Sequence, residues 1–177
     1  MTRRLWSLLA CTALLTGLLI AAATPAQAAI VRTGPATPFV LHAGSRHYCL
    51  GTDVSLAIIA PCNGSSNQAW YPVEPYLGDG SFDSMFQQKS TGKCLQVQTG
   101  SVNSLLITQT CTDQDSRFTG IQTWFRYGGT GGSGWANTKY YRATHACMGV
   151  NTVTSGQAVS MVPCNGSDTK QGWDKES

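Results

Sequence analysis

Residues 49–70 open with Cys49-Leu50-Gly51-Thr52-Asp53, run through the apolar Leu56-Ala57-Ile58-Ile59 into Cys62-Asn63-Gly64, and close on Gln68-Ala69-Trp70. The pattern is a cysteine followed by an apolar residue, an apolar stretch ending in a second cysteine, and then Gln-x-Trp. It returns as Cys94-Leu95, Cys111 and Gln122-Thr123-Trp124, and again as Cys147-Met148, Cys164 and Gln171-Gly172-Trp173. Successive copies lie roughly fifty residues apart, a period that marks a repeat architecture. A unit of that length is too small to bury a core alone, so three copies must share one.

The apolar runs are short and read as strands. In the first unit they are Phe39-Val40-Leu41, Tyr48-Cys49-Leu50, Leu56-Ala57-Ile58-Ile59 and Trp70-Tyr71-Pro72-Val73. The second repeats the order with Met85-Phe86, Cys94-Leu95-Gln96-Val97, Leu105-Leu106-Ile107 and Trp124-Phe125. In the third, Tyr140-Tyr141, Cys147-Met148, Val159-Ser160-Met161-Val162 and Trp173 take the same slots. Four strands in each of three units predict an all-β chain folded as a β-trefoil.

Paired cysteines, Cys62-Asn63-Gly64 and three Gln-x-Trp motifs in register together resemble the ricin-type lectin repeat. The resemblance covers residues 38–177, with repeats at about 38–75, 82–127 and 135–177. The fold hosts many activities, so function is argued from the site.

The N-terminus carries Arg3 and Arg4 ahead of an apolar run from Leu5 to Ala23, then Thr24-Pro25 and Ala26-Gln27-Ala28. This reads as a secretory signal peptide over residues 1–28 with a small-x-small cleavage site, followed by a short segment at 29–37. A membrane anchor fits less well, because the run is short, rich in small residues and followed at once by the cleavage pattern. No other stretch is apolar enough to span a membrane. The expected location is extracellular.

Cleavage would also remove Cys11 and leave six cysteines, an even number suited to an oxidising compartment. Six cysteines allow 15 pairings. The repeat selects Cys49 with Cys62, Cys94 with Cys111, and Cys147 with Cys164, each within its own unit. Loops of this length are stabilised by on the order of 3 kcal/mol per bridge. There is no Cys-x-x-Cys or Cys/His cluster, so no metal site and no cofactor is expected.

The formal charge of +3 includes Arg3 and Arg4, so the mature chain is nearly neutral, and no Lys/Arg run stands ready to track a phosphate backbone. Nucleic acid is not an expected partner. Pro72 to Ser81 and Gly128 to Gly134 depart from the repeat and read as exposed loops, the second of them mobile.

Reacting groups are sparse. His42, His47 and His145 are the only histidines, and His47 and His145 fall at equivalent repeat positions that the fold holds apart. Asp79, Asp83, Asp113 and Asp115 read as solvated loop carboxylates. No nucleophile elbow occurs. The chain is expected not to be an enzyme.

Trp70, Trp124 and Trp173 read as core plugs, with Gln68, Gln122 and Gln171 tying the adjacent turns. The resemblance places sugar binding elsewhere. It implies an Asp two residues after the first cysteine, an aromatic ring just before the second, and an Asn near Gln-x-Trp. Here the Asp slot holds Gly51, Gln96 and Gly149, and the position two before the second cysteine holds Ala60, Gln109 and Val162. A polar residue four after each first cysteine, Asp53, Gln98 or Asn151, shares a strand face with the lost Asp. Asn63 and Asn165 follow the second cysteines, and Asn67 precedes Gln68.

Two readings follow. One is a lectin that binds a glycan or polysaccharide through Asp53, Asn63 and Asn67 in the first unit and Asn151 and Asn165 in the third. The other is a trefoil that has lost sugar binding and serves as a protein-interaction module, an inhibitor or toxin-delivery subunit, using aromatics such as Tyr76, Tyr127 or Trp135.

Overall fold

The computed structural model describes residues 31–43, 45–73, 84–112, 120–127 and 134–175. Residues 1–28, Tyr76, the loop aspartates 79, 83, 113 and 115, and most of the two joining loops lie outside these.

Among the described residues twelve strands appear, four to a repeat. The first unit holds β1 (Thr37–Ala43), β2 (Arg46–Asp53), β3 (Leu56–Pro61) and β4 (Ala69–Val73). The second holds β5 (Met85–Gln88), β6 (Cys94–Val97), β7 (Leu106–Gln109) and β8 (Trp124–Tyr127). The third holds β9 (Gly134–Asn137), β10 (Ala146–Gly149), β11 (Ser160–Pro163) and β12 (Trp173–Lys175), with one helical turn, α1 (Tyr141–Thr144), between β9 and β10.

Antiparallel pairing of β1 with both β2 and β4 closes β1-β2-β3-β7-β6-β5-β4 into a ring, and β12 adds alongside β1. Strands β8 to β11 form a second sheet. The units meet through their third strands, where Leu56 pairs with Ile107 and the bridges Ile58–Ala158 and Leu105–Ser160 bring in the third unit.

Trp70, Trp124 and Trp173 are wholly buried. Each satisfies its indole N–H on the carbonyl of the residue after the first cysteine, donating to Leu50, Leu95 and Met148 at 2.9, 3.2 and 3.1 Å. The plug therefore buries a large ring at no cost in unsatisfied polarity.

The first strands of the units contribute a second threefold set. Phe39, Phe86 and Trp135 meet edge to face, with centroids 4.5, 4.9 and 5.7 Å apart. This corrects the expectation that Trp135 is an interaction aromatic: it is a core ring, equivalent to Phe39 and Phe86. It also corrects the placement of Tyr140-Tyr141 as the third unit's first strand. That strand is β9, and the tyrosines belong to a helical turn that lengthens the connection from the unit's first strand to its first cysteine. The Tyr140 ring packs so closely on Gly100 that a Cβ there would collide with it.

Among the described residues three disulfides form, Cys49–Cys62, Cys94–Cys111 and Cys147–Cys164, each with a Cα–Cα distance of 4.9 Å. Each joins a unit's second strand to the residues just after its third.

Candidate functional site

In every unit the buried glutamine of Gln-x-Trp staples the turn after the second cysteine. Gln68 Oε1 accepts from the Asn63 backbone N–H at 2.9 Å, and its Nε2 donates to the Pro61 carbonyl at 3.0 Å. Gln171 repeats both bonds with Asn165 and Pro163 at 3.0 and 2.9 Å, and Gln122 with Thr112 and Thr110, each at 2.9 Å. Because a backbone N–H lies on one side and a carbonyl on the other, the orientation of each amide is fixed.

In the first unit the staple presents a polar turn. Asn63 Oδ1 accepts from the Ser65 backbone N–H at 3.0 Å, and the single Ser65 hydroxyl proton is shared between Asn63 Oδ1 and Asn67 Oδ1. Asn63 and Asn67 are thus brought together and exposed. Asp53 stands exposed at the end of β2, facing Leu56 across the hairpin. It lies on the strand face of Gly51, whose missing side chain leaves Gln68 Cγ as the nearest atom to a built Cβ, at 3.3 Å.

The third unit gathers Asn151 and Asn165 around one cleft of about 330 Å³, with Asp168, Lys170 and Gln171 on its wall. Asn165 Oδ1 accepts from the Ser167 N–H and hydroxyl at 3.1 and 2.8 Å, the same turn that Asn63 makes. Asp168 caps the short 3-10 turn Thr169–Gln171 by accepting from the Lys170 N–H at 3.0 Å, and Lys170 Nζ lies 3.8 Å from its other oxygen. At Gly149 a Cβ would fall 2.5 Å from Val162 Cγ2. Val162 therefore fills the space that a side chain at position 149 would need.

The second unit differs. Gln96, in the Asp slot, accepts through Oε1 from Gln122 Nε2 at 3.0 Å, while Gln98 is exposed.

No family model matches the chain, and no curated protein matches it. Solved structures do. The Macrolepiota procera ricin B-like lectin in complex with lactose aligns with TM-score 0.60 at 14% identity, covering 81% of this chain and 95% of the lectin. The designed threefold-symmetric protein ThreeFoil aligns at 0.61 and 18% identity, covering 78% and 95%. The cytolethal distending toxin of Actinobacillus actinomycetemcomitans aligns at 0.55 and 18%, covering 77% and 89%. The fold is a β-trefoil. Identities this low establish the fold and leave the ligand to be argued from side chains.

On this β-trefoil the structure brings Asn63 near Asn67 and Asn151 near Asn165, and sets beside the latter pair Asp168 and Lys170, which sequence reasoning does not single out. Those two were hidden because their place depends on a short 3-10 turn. Sequence reasoning also missed a second cleft of about 140 Å³ across the same turn, where His42 and Tyr127 face Asn165 and Asp168. His42 lies opposite His47 across the β1–β2 hairpin, with rings 4.9 Å apart, and its Nε2 is 3.6 Å from Asp174 Oδ2. Arg126 completes that cluster at 2.9 Å from Asp174.

Beside it Tyr141 packs between Phe125 and Tyr127, with centroids 5.1 and 5.4 Å away. Burial, together with the Tyr127 hydroxyl, raises the Tyr141 pKa above the usual phenol value. Among the described residues no group of three or more His, Cys, Asp or Glu is placed to hold a metal, and no helix is long and apolar enough to cross a membrane.

Proposed function

We propose that this chain is a secreted, non-enzymatic carbohydrate-binding protein that recognises a glycan or polysaccharide through shallow sites on its first and third units. Asp53, Asn63 and Asn67 serve the first site, and Asn151 and Asn165 the third. The observation that carries the reading is the third-unit cleft, which collects Asn151, Asn165 and Asp168 on a fold shared with a lectin solved with lactose. Side-chain amides and a carboxylate on a rigid staple are suited to a neutral polyol, whose hydroxyls both donate and accept. Three disulfides are consistent with an extracellular setting. The near-neutral mature charge argues against nucleic acid.

A glycan array with the wild-type protein and the Asp53→Ala/Asn151→Ala double variant tests the proposal. Retention by the wild type and its near loss in an equally heat-stable double variant is the expected result. A blank wild-type array would favour the protein-interaction reading. That alternative is supported by the aromatic shelf of Phe125, Tyr127 and Tyr141 and by a toxin that shares the fold.

A further inference from the structure

The three staples are unequal. An amide NH₂ has two N–H groups. Gln122 Nε2 uses both, donating to the Thr110 carbonyl at 2.9 Å and to Gln96 Oε1 at 3.0 Å. Gln68 and Gln171 each use one, on Pro61 and Pro163. The residue equivalent to Gln96 is Gly51 in the first unit and Gly149 in the third, so no side chain reaches back to take the second N–H. Exposure follows the same division: Gln122 is 0% exposed, Gln68 3% and Gln171 5%.

From this geometry we infer that Gln68 and Gln171, in addition to stapling their turns, donate their remaining amide N–H directly to the bound saccharide, and that Gln96 closes the second unit to ligand. The inference rests on the carbohydrate-binding reading and specifies its contacts. In the free protein this remaining N–H is left to water, and a saccharide oxygen can take the place that Gln96 Oε1 holds in the second unit.

The chemistry of the first unit then selects the ligand. Asp53 lies two residues beyond Gly51 on the same face of β2, roughly 7 Å along the strand. A saccharide laid across Gly51 meets a donor at Gln68 and an acceptor at Asp53. One hydroxyl accepts and another donates, which suits a neutral sugar. A uronate would set its charge against that of Asp53. In the third unit position 149 cannot carry a closing side chain, because Val162 already fills the space beside it. Gln171 itself lines the cleft that holds Asn151.

Side-chain amide resonances of ¹⁵N-labelled protein provide the test, first alone and then titrated with lactose, cellobiose and maltose. Without sugar, one amide proton of Gln68 and one of Gln171 should exchange quickly with water while both of Gln122 stay protected. With sugar, the Gln68 and Gln171 resonances should move and those of Gln122 should not.

Gly51→Gln, which installs the second unit's closing residue, should weaken binding at the first unit by roughly tenfold, the size of one neutral hydrogen bond. Gln96→Gly should make Gln122 sugar-responsive and tests the same point in a different unit should the first variant fold poorly. Sugar-induced shifts at the backbone of Asp53 and Asn151 with the Gln68 and Gln171 amides unmoved would overturn the inference and leave carbohydrate binding standing. No shift anywhere with any of the three sugars would overturn both.

Discussion

In the first unit Gln68 gives one amide N–H to Pro61 and keeps the other, whereas in the second unit Gln122 gives both away, to Thr110 and Gln96. The two glutamines hold the same turn, sit two residues before equally buried tryptophans, and differ because one faces Gly51 and the other Gln96. A repeat can therefore keep its scaffold constant and open or close a polar site by one side chain on the neighbouring strand. Toward the axis the units agree closely, as Phe39, Phe86 and Trp135 show. Toward solvent they diverge, where packing places no demand on them.

The firmest way to break the comparison is to ask whether the inward sets are equivalent. Trp70→Ala, Trp124→Ala and Trp173→Ala should each cost about 3 to 5 kcal/mol in chemical denaturation. Trp135→Ala should fall in the same range, and a near-neutral result there would return that ring to the surface. Next in size, replacing Cys94 and Cys111 together by Ala should cost about 3 kcal/mol, read as a lowered denaturation midpoint.

The staples should separate by a smaller margin. Gln122→Ala removes the bonds to the Thr112 N–H, the Thr110 carbonyl and Gln96, while Gln68→Ala removes only the first unit's equivalents of the first two. The second-unit change should therefore be the more destabilising, by about 1 kcal/mol in thermal or chemical unfolding. Equal losses would mean that the Gln96 contact contributes little.

The smallest effect is expected at Val54, which is 91% exposed and holds φ at 55° at the β2–β3 turn. A β-branched residue is strained there, and Asn accepts the left-handed region more readily. Val54→Asn should stabilise the protein by up to about 1 kcal/mol without altering retention on a glycan.

How much of this was legible in the sequence follows from what each residue's role depends on. The tryptophans, glutamines and disulfides were readable because each unit repeats them and the core constrains all three copies alike. Trp135 was misjudged because the insertion carrying Tyr140 and Tyr141 shifted the third unit out of step, and two adjacent aromatics imitated a strand. Counting back from Cys147 by the interval that separates Phe39 from Cys49 or Phe86 from Cys94 lands on Asn137 or Lys139, so spacing alone does not reach it. The Gln96–Gln122 bond left no mark beyond a glutamine where a glycine stands elsewhere, since its meaning depends on which side chains meet across a turn. Asp168 and Lys170 were equally hidden, being positioned by local backbone geometry.

The central claim is that two units are open and one is closed, and binding stoichiometry tests it most directly. Isothermal titration with the glycan that gives the strongest array signal should find two sites per chain in the wild type and three in Gln96→Gly. Three sites in the wild type, or binding that survives Asp53→Ala/Asn151→Ala unchanged, would contradict the account.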